Sequence, residues 1–259
     1  MDSAWPAPDR AESNGWVLRA ASGVTQRANS VWAREQGSDS SAQYVALRAA
    51  RNWYRDRRLP LIFQVFDDPR SAALNAVLDG EGFTRQSETL VMWLEAETAG
   101  VMPGHPVQQP GAPESAVEIS TEPSAEWLDL WWRVDGRGGP AGLATARTIL
   151  TGCPSVYALV RSDDGVPAAV GRLALPRGAG NHGGIYCMAT RPDLRRHGHA
   201  RRIMQTLLCE GEARQLAGYW LLVTAANHGA RQLYAGAGFV EAGRYLYRQD
   251  RPKRHLTGC

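Results

Sequence analysis

The stretch Ile185–Ala200 reads IYCMATRPDLRRHGHA. A short apolar run meets a proline break, and Arg-Arg-His-Gly-His-Ala follows. Beyond it, Ala200, Ile203, Met204, Leu207, Leu208 and Gly211 recur at i, i+3, i+4, i+7, i+8 and i+11, one face of a 3.6-residue helix. A strand therefore feeds a glycine turn, and the turn feeds a helix N-terminus. Backbone N–H groups at such a terminus lack intrahelical partners and sit at the positive end of the helix dipole. Phosphate groups bind there. Gly198 lets the backbone approach an anion closely, and Arg195, Arg196, Arg201 and Arg202 add charge around it.

A phosphate-binding P-loop ends in Gly-Lys-Ser/Thr, which this segment lacks. A dinucleotide loop needs Gly-x-Gly-x-x-Gly, and only Gly198 is present. The remaining pattern is Arg/Gln-x-x-Gly-x-Gly/Ala, and residues 195–200 match it at each fixed position. Taken alone, the segment also reads as a basic, solvated helix start.

About thirty residues on, YWLLVTAAN (219–227) reads as an apolar strand, and Asn227-His228-Gly229-Ala230-Arg231-Gln232-Leu233-Tyr234 leads to Gly238-Phe239. Asn227 is a good N-cap, Ala230, Leu233, Tyr234 and Ala237 share a face, and Gly238 suits a left-handed C-terminal cap. Together the two segments resemble the GNAT N-acetyltransferase superfamily. The first is similar to its acyl-CoA loop, and the second to its last helix, Asn-x-x-Ala-x-x-Leu-Tyr followed by Gly-Phe. The resemblance covers about residues 117–250.

The order of elements before these motifs agrees. VEIS (117–120) reads as a strand, Pro123–Val134 as a helix with Trp127, Leu130, Trp131 and Val134 on one face, and Ala144–Leu150 as a short helix. Residues 156–175 read as a hairpin turning at Asp163-Asp164-Gly165. Upstream, 97–115 is rich in proline and glycine and reads as a linker. The part before it contains two strands about a glycine turn (16–32), a helix at 42–55, a strand at 61–65, a helix at 70–79 and a strand at 88–93. Leu78-Asp79-Gly80-Glu81-Gly82-Phe83 lies over Tyr234-Ala235-Gly236-Ala237-Gly238-Phe239, an internal repeat. Leu78 stands where Tyr234 stands, and no Arg-x-x-Gly-x-Ala precedes the helix at Ala42.

The expectation is an α/β (α+β) protein of tandem GNAT type, with a mixed central sheet flanked by helices. Residues 1–96 would form a degenerate, truncated GNAT-like domain, 97–115 a linker, and 116–259 a complete GNAT acetyltransferase domain. GVTQRANSV (23–31) resembles the N-terminal region of tandem bacterial GNAT proteins, with no role assignable from its chemistry.

Composition sets the bounds. The 259 residues carry a formal charge of +3, which gives no reason to expect a nucleic-acid partner. Apolar runs fall far short of about 20 residues, so no membrane span is expected. The start, MDSAWPAPDR, does not read as a secretory signal. Cys153, Cys187, Cys209 and Cys259 show neither Cys-x-x-Cys pairing nor zinc spacing, so free thiols in a reducing cytoplasm, and no metal, are expected.

The resemblance implies an acetyl-CoA-dependent N-acetyltransferase. CoA would be held by Met188, Ala189 and Thr190 of the splayed strand, by Arg195, Arg196, His197, Gly198, His199, Ala200 and Arg201 of the loop, and by Asn227 and Tyr234. Tyr234 would also be the general acid. The acceptor would be the amine of a small molecule or peptide, beside Trp127, Trp131, Trp132 and the loop 135–142. The base is open among Glu122, Glu126 and His182. Donor chain length and oligomeric state are not legible. The alternative is a GNAT fold that senses acyl-CoA without turnover.

Overall fold

A computed structural model describes residues 1–35, 39–99, 117–136, 138–178 and 180–251. The chain divides into two compact units. The N-terminal unit comprises Ala7–Thr89 with the segment from Gly243 on; the C-terminal unit comprises Met1–Pro6 with Leu90–Ala242. Neither unit is one continuous stretch of chain.

The N-terminal unit opens with the antiparallel hairpin β1 (Asp9–Ser13) and β2 (Trp16–Ala20). Asn14 and Gly15 both have positive φ, as a tight hairpin turn requires. The sequence reads as two strands about a glycine turn at 16–32. Instead β3 is only Val31–Trp32, and the intervening residues form a loop. Asn29 explains this. Its Oδ1 accepts from the amides of Ala21 (2.8 Å) and Gly23 (2.9 Å), while its Nδ2 donates to the carbonyls of Val24 and Thr25 (2.8 Å each). One side chain thus satisfies backbone groups that a ladder would otherwise have to pair. There follow α1 (Ser40–Asp56), β4 (Ile62–Phe66), α2 (Ala72–Gly80), β5 (Thr84–Glu95) and the single turn α3 (Ala96–Ala99). Of the expected linker, residues 97–99 belong to α3, and 100–115 lie outside the described residues.

The C-terminal unit continues with β6 (Glu118–Ser120), α4 (Ala125–Asp135), α5 (Pro140–Thr151), β7 (Ser155–Arg161), β8 (Pro167–Ala174), β9 (His182–Thr190), α6 (His199–Glu212), β10 (Gly218–Thr224), α7 (His228–Gly236) and β11 (Val240–Gln249). The helix expected at Ala144 starts earlier, because Pro140 is pre-set for the first helical position. No helix among the described residues is long and apolar enough to cross a membrane.

Strands run β1-β2-β3-β4-β11 in the N-terminal unit and β5-β10-β9-β8-β7-β6 in the C-terminal unit. The series β3-α1-β4-α2-β5 repeats as β9-α6-β10-α7-β11, and in both copies the first two strands are parallel. The final strands are exchanged. β11 pairs antiparallel with β4, from Tyr245↔Phe66 to Gln249↔Ile62, while β5 lies beside β10. Even the helix ends match. The amide of Phe83 donates to Leu78 O and that of Phe239 to Tyr234 O, both at 3.0 Å, with Gly82 and Gly238 at φ +76° and +92°.

One face of the C-terminal sheet packs Val156, Leu173 and Ile185 against Ile203, Met204 and Leu207 of α6. The other carries a register-paired row, Tyr157–Arg172–Tyr186, beneath α4, α5 and Met1–Pro6. Arg172 is fully buried and bonds Ser155 Oγ (2.9 Å), Ala4 O (3.0 Å) and Leu150 O (2.9 Å). Trp5 stacks on Tyr186 at 5.6 Å.

A fragment starting at Glu114 would lose residues 90–95 beside β10 and the Ala4 carbonyl on Arg172. It is expected to aggregate, because β10 becomes an open edge and a buried cation loses an acceptor. Soluble expression with a cooperative thermal transition matching the full chain would contradict this.

Candidate active site

The site is built around Gly171 on β8. A Cβ there would lie 2.5 Å from Ile203 Cγ2, 2.7 Å from Met188 Sδ and 3.0 Å from Leu207 Cδ1, so only glycine lets α6 approach this closely. Register passes from Val170↔Ala189 directly to Arg172↔Tyr186, leaving Cys187 and Met188 opposite Gly171. This is a β-bulge, with Cys187 at φ +55°. The parallel ladder between β9 and β10 ends at Ile185↔Leu221, although β9 runs on to Thr190 and β10 to Thr224. Beyond the bulge, Met188, Ala189 and Thr190 therefore have β8 on one side and no β10 ladder on the other among the described residues.

After Thr190 a 3-10 turn (Pro192–Leu194) leads to Arg196 at φ +67° and to Gly198, the N-cap of α6, at φ +80°. Gly198 supplies no capping side chain, and the first helical bond runs from Arg202 N to Gly198 O. The amides of the first turn thus point off the helix end. The place of a Cβ on Gly198 is open, with nothing within 4 Å. Arg195, Arg196 and His197 are exposed around it, and Arg201 and Arg202 lie in the first turn. Periodicity placed Ala200 on the buried face. Instead His199 turns inward and Ala200 is half-buried. His199 Nδ1 is buried without a hydrogen-bond partner. Burial, then the charges of Arg202 and His197, hold the imidazole below its ordinary pKa.

The first repeat differs here in its N-cap residue. At the start of α1, Asp39 accepts from the amides of Ser41 (2.9 Å) and Ala42 (3.3 Å). A carboxylate occupies the place that an uncapped glycine leaves open at α6.

Asn227 caps α7, its Oδ1 accepting from Ala230 N at 3.1 Å. Tyr234, about two turns on from Asn227, is buried, and its pKa is pushed up to about 12, chiefly by burial and then by the charge of Asp135. Of the base candidates, Glu126 is ion-paired with Arg161 (2.6 Å), and that contact lowers its pKa. Glu122 is exposed before α4. His182 packs on Trp93 at the opposite end of β9 from the bulge, roughly 15 Å away at about 3.3 Å per residue. None is brought to the bulge. Trp127 and Trp131 are buried and Trp132 is half-buried. Trp127 Nε1 donates to both Ala158 O (3.0 Å) and Gly171 O (3.2 Å), fastening α4 across β7 and β8.

Sequence reading missed three features here. The bulge at Cys187 left no local signal. Trp5 lies far away in the chain. Asp135 had been counted as part of a loop, yet it closes α4.

Comparison with known proteins now decides the family. The family model described as "Probable histone acetyltransferase Rv0428c C-terminal" matches residues 1–248. The chain belongs to this acetyltransferase family. Among solved structures, a GCN5-related N-acetyltransferase from Kribbella flavida is 18% identical, with 98% of this chain and 93% of that chain covered and a TM-score of 0.67. A tandem GNAT protein from the clavulanic acid biosynthesis pathway is 14% identical, covering 96% and 86%, at a TM-score of 0.69. A GCN5-related N-acetyltransferase from Sphaerobacter thermophilus is 16% identical, covering 92% and 78%, at a TM-score of 0.62. These likenesses establish the GNAT fold, with its mixed sheet and flanking helices. No curated protein matches the chain.

His199 generates a prediction. Its lowered pKa means the unfolded chain takes up the proton first as pH falls, so stability declines below about pH 6.5. The imidazole should titrate below 6.5 by NMR, and His199→Phe should flatten the acid limb of the stability profile. Titration at or above 6.5 would overturn this.

Proposed function

We propose that the protein is an acetyl-CoA-dependent N-acetyltransferase that acts on a primary amine by direct attack on the thioester. One observation carries the reading. The β9–β10 ladder stops at Ile185↔Leu221, so that the bulged end of β9 runs on without a β10 ladder toward the uncapped, glycine-started helix α6.

The residues present fit the cofactor. The open space at Gly198 and the first turn of α6, which has no capping side chain, suit a pyrophosphate, with Arg195, Arg196, His197, His199, Ala200 and Arg201 around it. The backbone of Met188, Ala189 and Thr190 offers an extended arm the strand edge that β10 leaves. Asn227 fixes the start of α7 and so the position of Tyr234. When bound, acetyl-CoA supplies the acyl group as a thioester.

An amide of the bulge polarises the carbonyl, as a pre-aimed donor does in other acyl transfers. The Tyr234 hydroxyl, held neutral well above pH 7, is the proton donor for the thiolate. Holding the amine and thioester in line supplies most of the acceleration. The family description names histone, and a lysine side chain is one such primary amine. In this reading residues 116–259 supply the catalytic GNAT half, and the first repeat supplies strands without chemistry. The protein is then a cytoplasmic enzyme binding one CoA per chain, because Asp39 fills the helix terminus of the first repeat.

Gly198→Asp would force a side chain into a positive-φ position and set a negative charge against the phosphates. CoA binding by calorimetry should weaken at least 100-fold in the folded variant, from one site per chain in the parent. Unchanged affinity would overturn the loop assignment, and two sites per chain would overturn the stoichiometry.

Tyr234→Phe should lower kcat by about 10²–10⁴-fold, with CoA affinity within about threefold of the parent. Thiol release measured between pH 7 and 9 tests this. A loss under about threefold assigns Tyr234 to packing alone. CoA binding without thiol release from any amine would favour a sensor.

A further inference from the structure

The last register pair of β9 and β10 is Ile185↔Leu221, and Gly184↔Trp220 precedes it. Ile185 and Leu221 join the core beneath α6. Side chains alternate between faces along a strand, so Gly184, Tyr186 and Trp220 belong to the other face, beneath α4. Tyr186 is thus the first residue of β9 past the ladder. Its ring leans back over Gly184. A Cβ on Gly184 would lie 2.5 Å from Tyr186 Cε2 and 2.8 Å from both Cε2 and Cζ2 of Trp220, so only glycine lets the two rings meet there. They are tied together, because the Trp220 indole N–H donates to the Tyr186 hydroxyl at 3.1 Å. Trp5 stacks on the Tyr186 ring at 5.6 Å, with 22° between the planes, and Trp131 meets Trp5 edge-on at 6.3 Å. The Arg172 guanidinium lies 5.8 Å from the centres of both stacked rings. Trp5, Trp131, Tyr186 and Trp220 are all buried. Aromatic rings therefore close the α4 face of the sheet at the residue where the two strands cease to pair. The next two residues, Cys187 and Met188, are only half-buried.

We propose that Tyr186 and Trp220 form a wall at the end of the β9–β10 ladder that limits the donor to short acyl chains, acetyl above longer ones. This rests on the acetyltransferase reading above. In that reading the phosphates lie at the N-terminus of α6, shortly after Thr190, and the extended arm runs back along Thr190, Ala189 and Met188. Its acyl end then arrives where the paired sheet begins, and Tyr186 is the residue that stands there. A two-carbon acyl group stops short of the rings. Each further methylene has to enter space that they hold. The wall does not recede easily. Moving the Tyr186 ring would leave the buried Trp220 N–H without its acceptor and part a buried stack. Close-packed side chains resist even one added methylene. An apolar pocket discriminates one surplus methylene by about 10–200-fold. Two fixed rings therefore suffice to select the donor, without any charged group.

Calorimetry of the full chain with free CoA, acetyl-CoA, butyryl-CoA and hexanoyl-CoA tests this without any amine. The parent should bind acetyl-CoA at least as tightly as free CoA, and butyryl-CoA and hexanoyl-CoA at least about tenfold more weakly than acetyl-CoA. Tyr186→Leu shortens the wall. It should bring butyryl-CoA to within about threefold of acetyl-CoA, with the affinity for free CoA within about threefold of the parent. Trp220→Leu removes the other ring and should act in the same direction, so it serves as the test if Tyr186→Leu shows no cooperative thermal transition. Tyr186→Phe keeps the ring and loses only the hydroxyl, and should keep most of the discrimination. A parent that binds all the acyl-CoAs alike would overturn the wall, whether or not the variants fold. So would a folded Tyr186→Leu or Trp220→Leu variant that rejects butyryl-CoA as strongly as the parent does. If the parent binds neither free CoA nor acetyl-CoA, the acetyltransferase reading itself fails, and this inference fails with it.

Discussion

The geometry of the candidate site depends on the missing side chain of Gly171. Three atoms of α6 and β9 occupy the space its Cβ would take, and two residues of β9 are spread across from it. Because α6 can approach, its N-terminus comes to the end of β9. Because β9 is bulged there, its backbone turns from the ladder it shared with β10. On the opposite face, the Gly171 carbonyl takes the indole N–H of Trp127, which sets where α4 crosses. One residue thus couples the position of α6, the open strand edge of β9 and the crossing of α4. Filling a packed core by even one methyl group usually costs about 1–3 kcal/mol. Here the cost would fall on geometry as well as on stability.

The row on the other face shows how a charge is accommodated without a counter-ion. Arg172 directs its hydrogen bonds to neutral oxygens. It is held by a hydroxyl, by Ala4 O, and by the carbonyl of Leu150 at the negative end of α5. A buried guanidinium left unpartnered costs far more than a neutral group. Met1–Pro6 therefore belongs physically to the C-terminal unit, and the indole of Trp5 covers the row. Arg248 of the N-terminal unit solves the same problem differently, with Asn75 Oδ1 (2.8 Å) and the carboxylate of Asp79.

What the sequence revealed was whatever rests on contiguous residues. The period of α6, the Asn227 cap, the Gly238 and Gly82 helix ends, and the Leu78/Tyr234 repeat are local, and each has its counterpart in the structure. What it concealed depends on residues distant in the chain. The exchange of β5 and β11 cannot be read from either strand, since each lies beside a strand of the other repeat. Cys187 bulges because Gly171 faces it, and nothing within IYCMAT announces this. The Asn29 loop was visible as a motif but opaque as physics until its side chain was seen to satisfy four backbone groups. Ala200 and His199 exchanged places because the αL turn at Gly198 rotates the helix start, which periodicity alone cannot anticipate.

The two repeats show how little separates a helix terminus that suits a phosphate from one that does not. Both units build strand, helix, strand, helix and strand, and both close the second helix with glycine and phenylalanine. At the first helix, one has glycine at positive φ with no capping side chain, and the other has Asp39 bonding two amides. A capping carboxylate typically stabilises a helix by about 1 kcal/mol. Glycine at the same position is less favourable than such a cap by only a few tenths of a kcal/mol, so α6 goes without a capping side chain at little cost. At Gly198 the positive φ and the lack of a capping side chain leave the end of α6 sterically open, which is what the proposed binding of CoA would need.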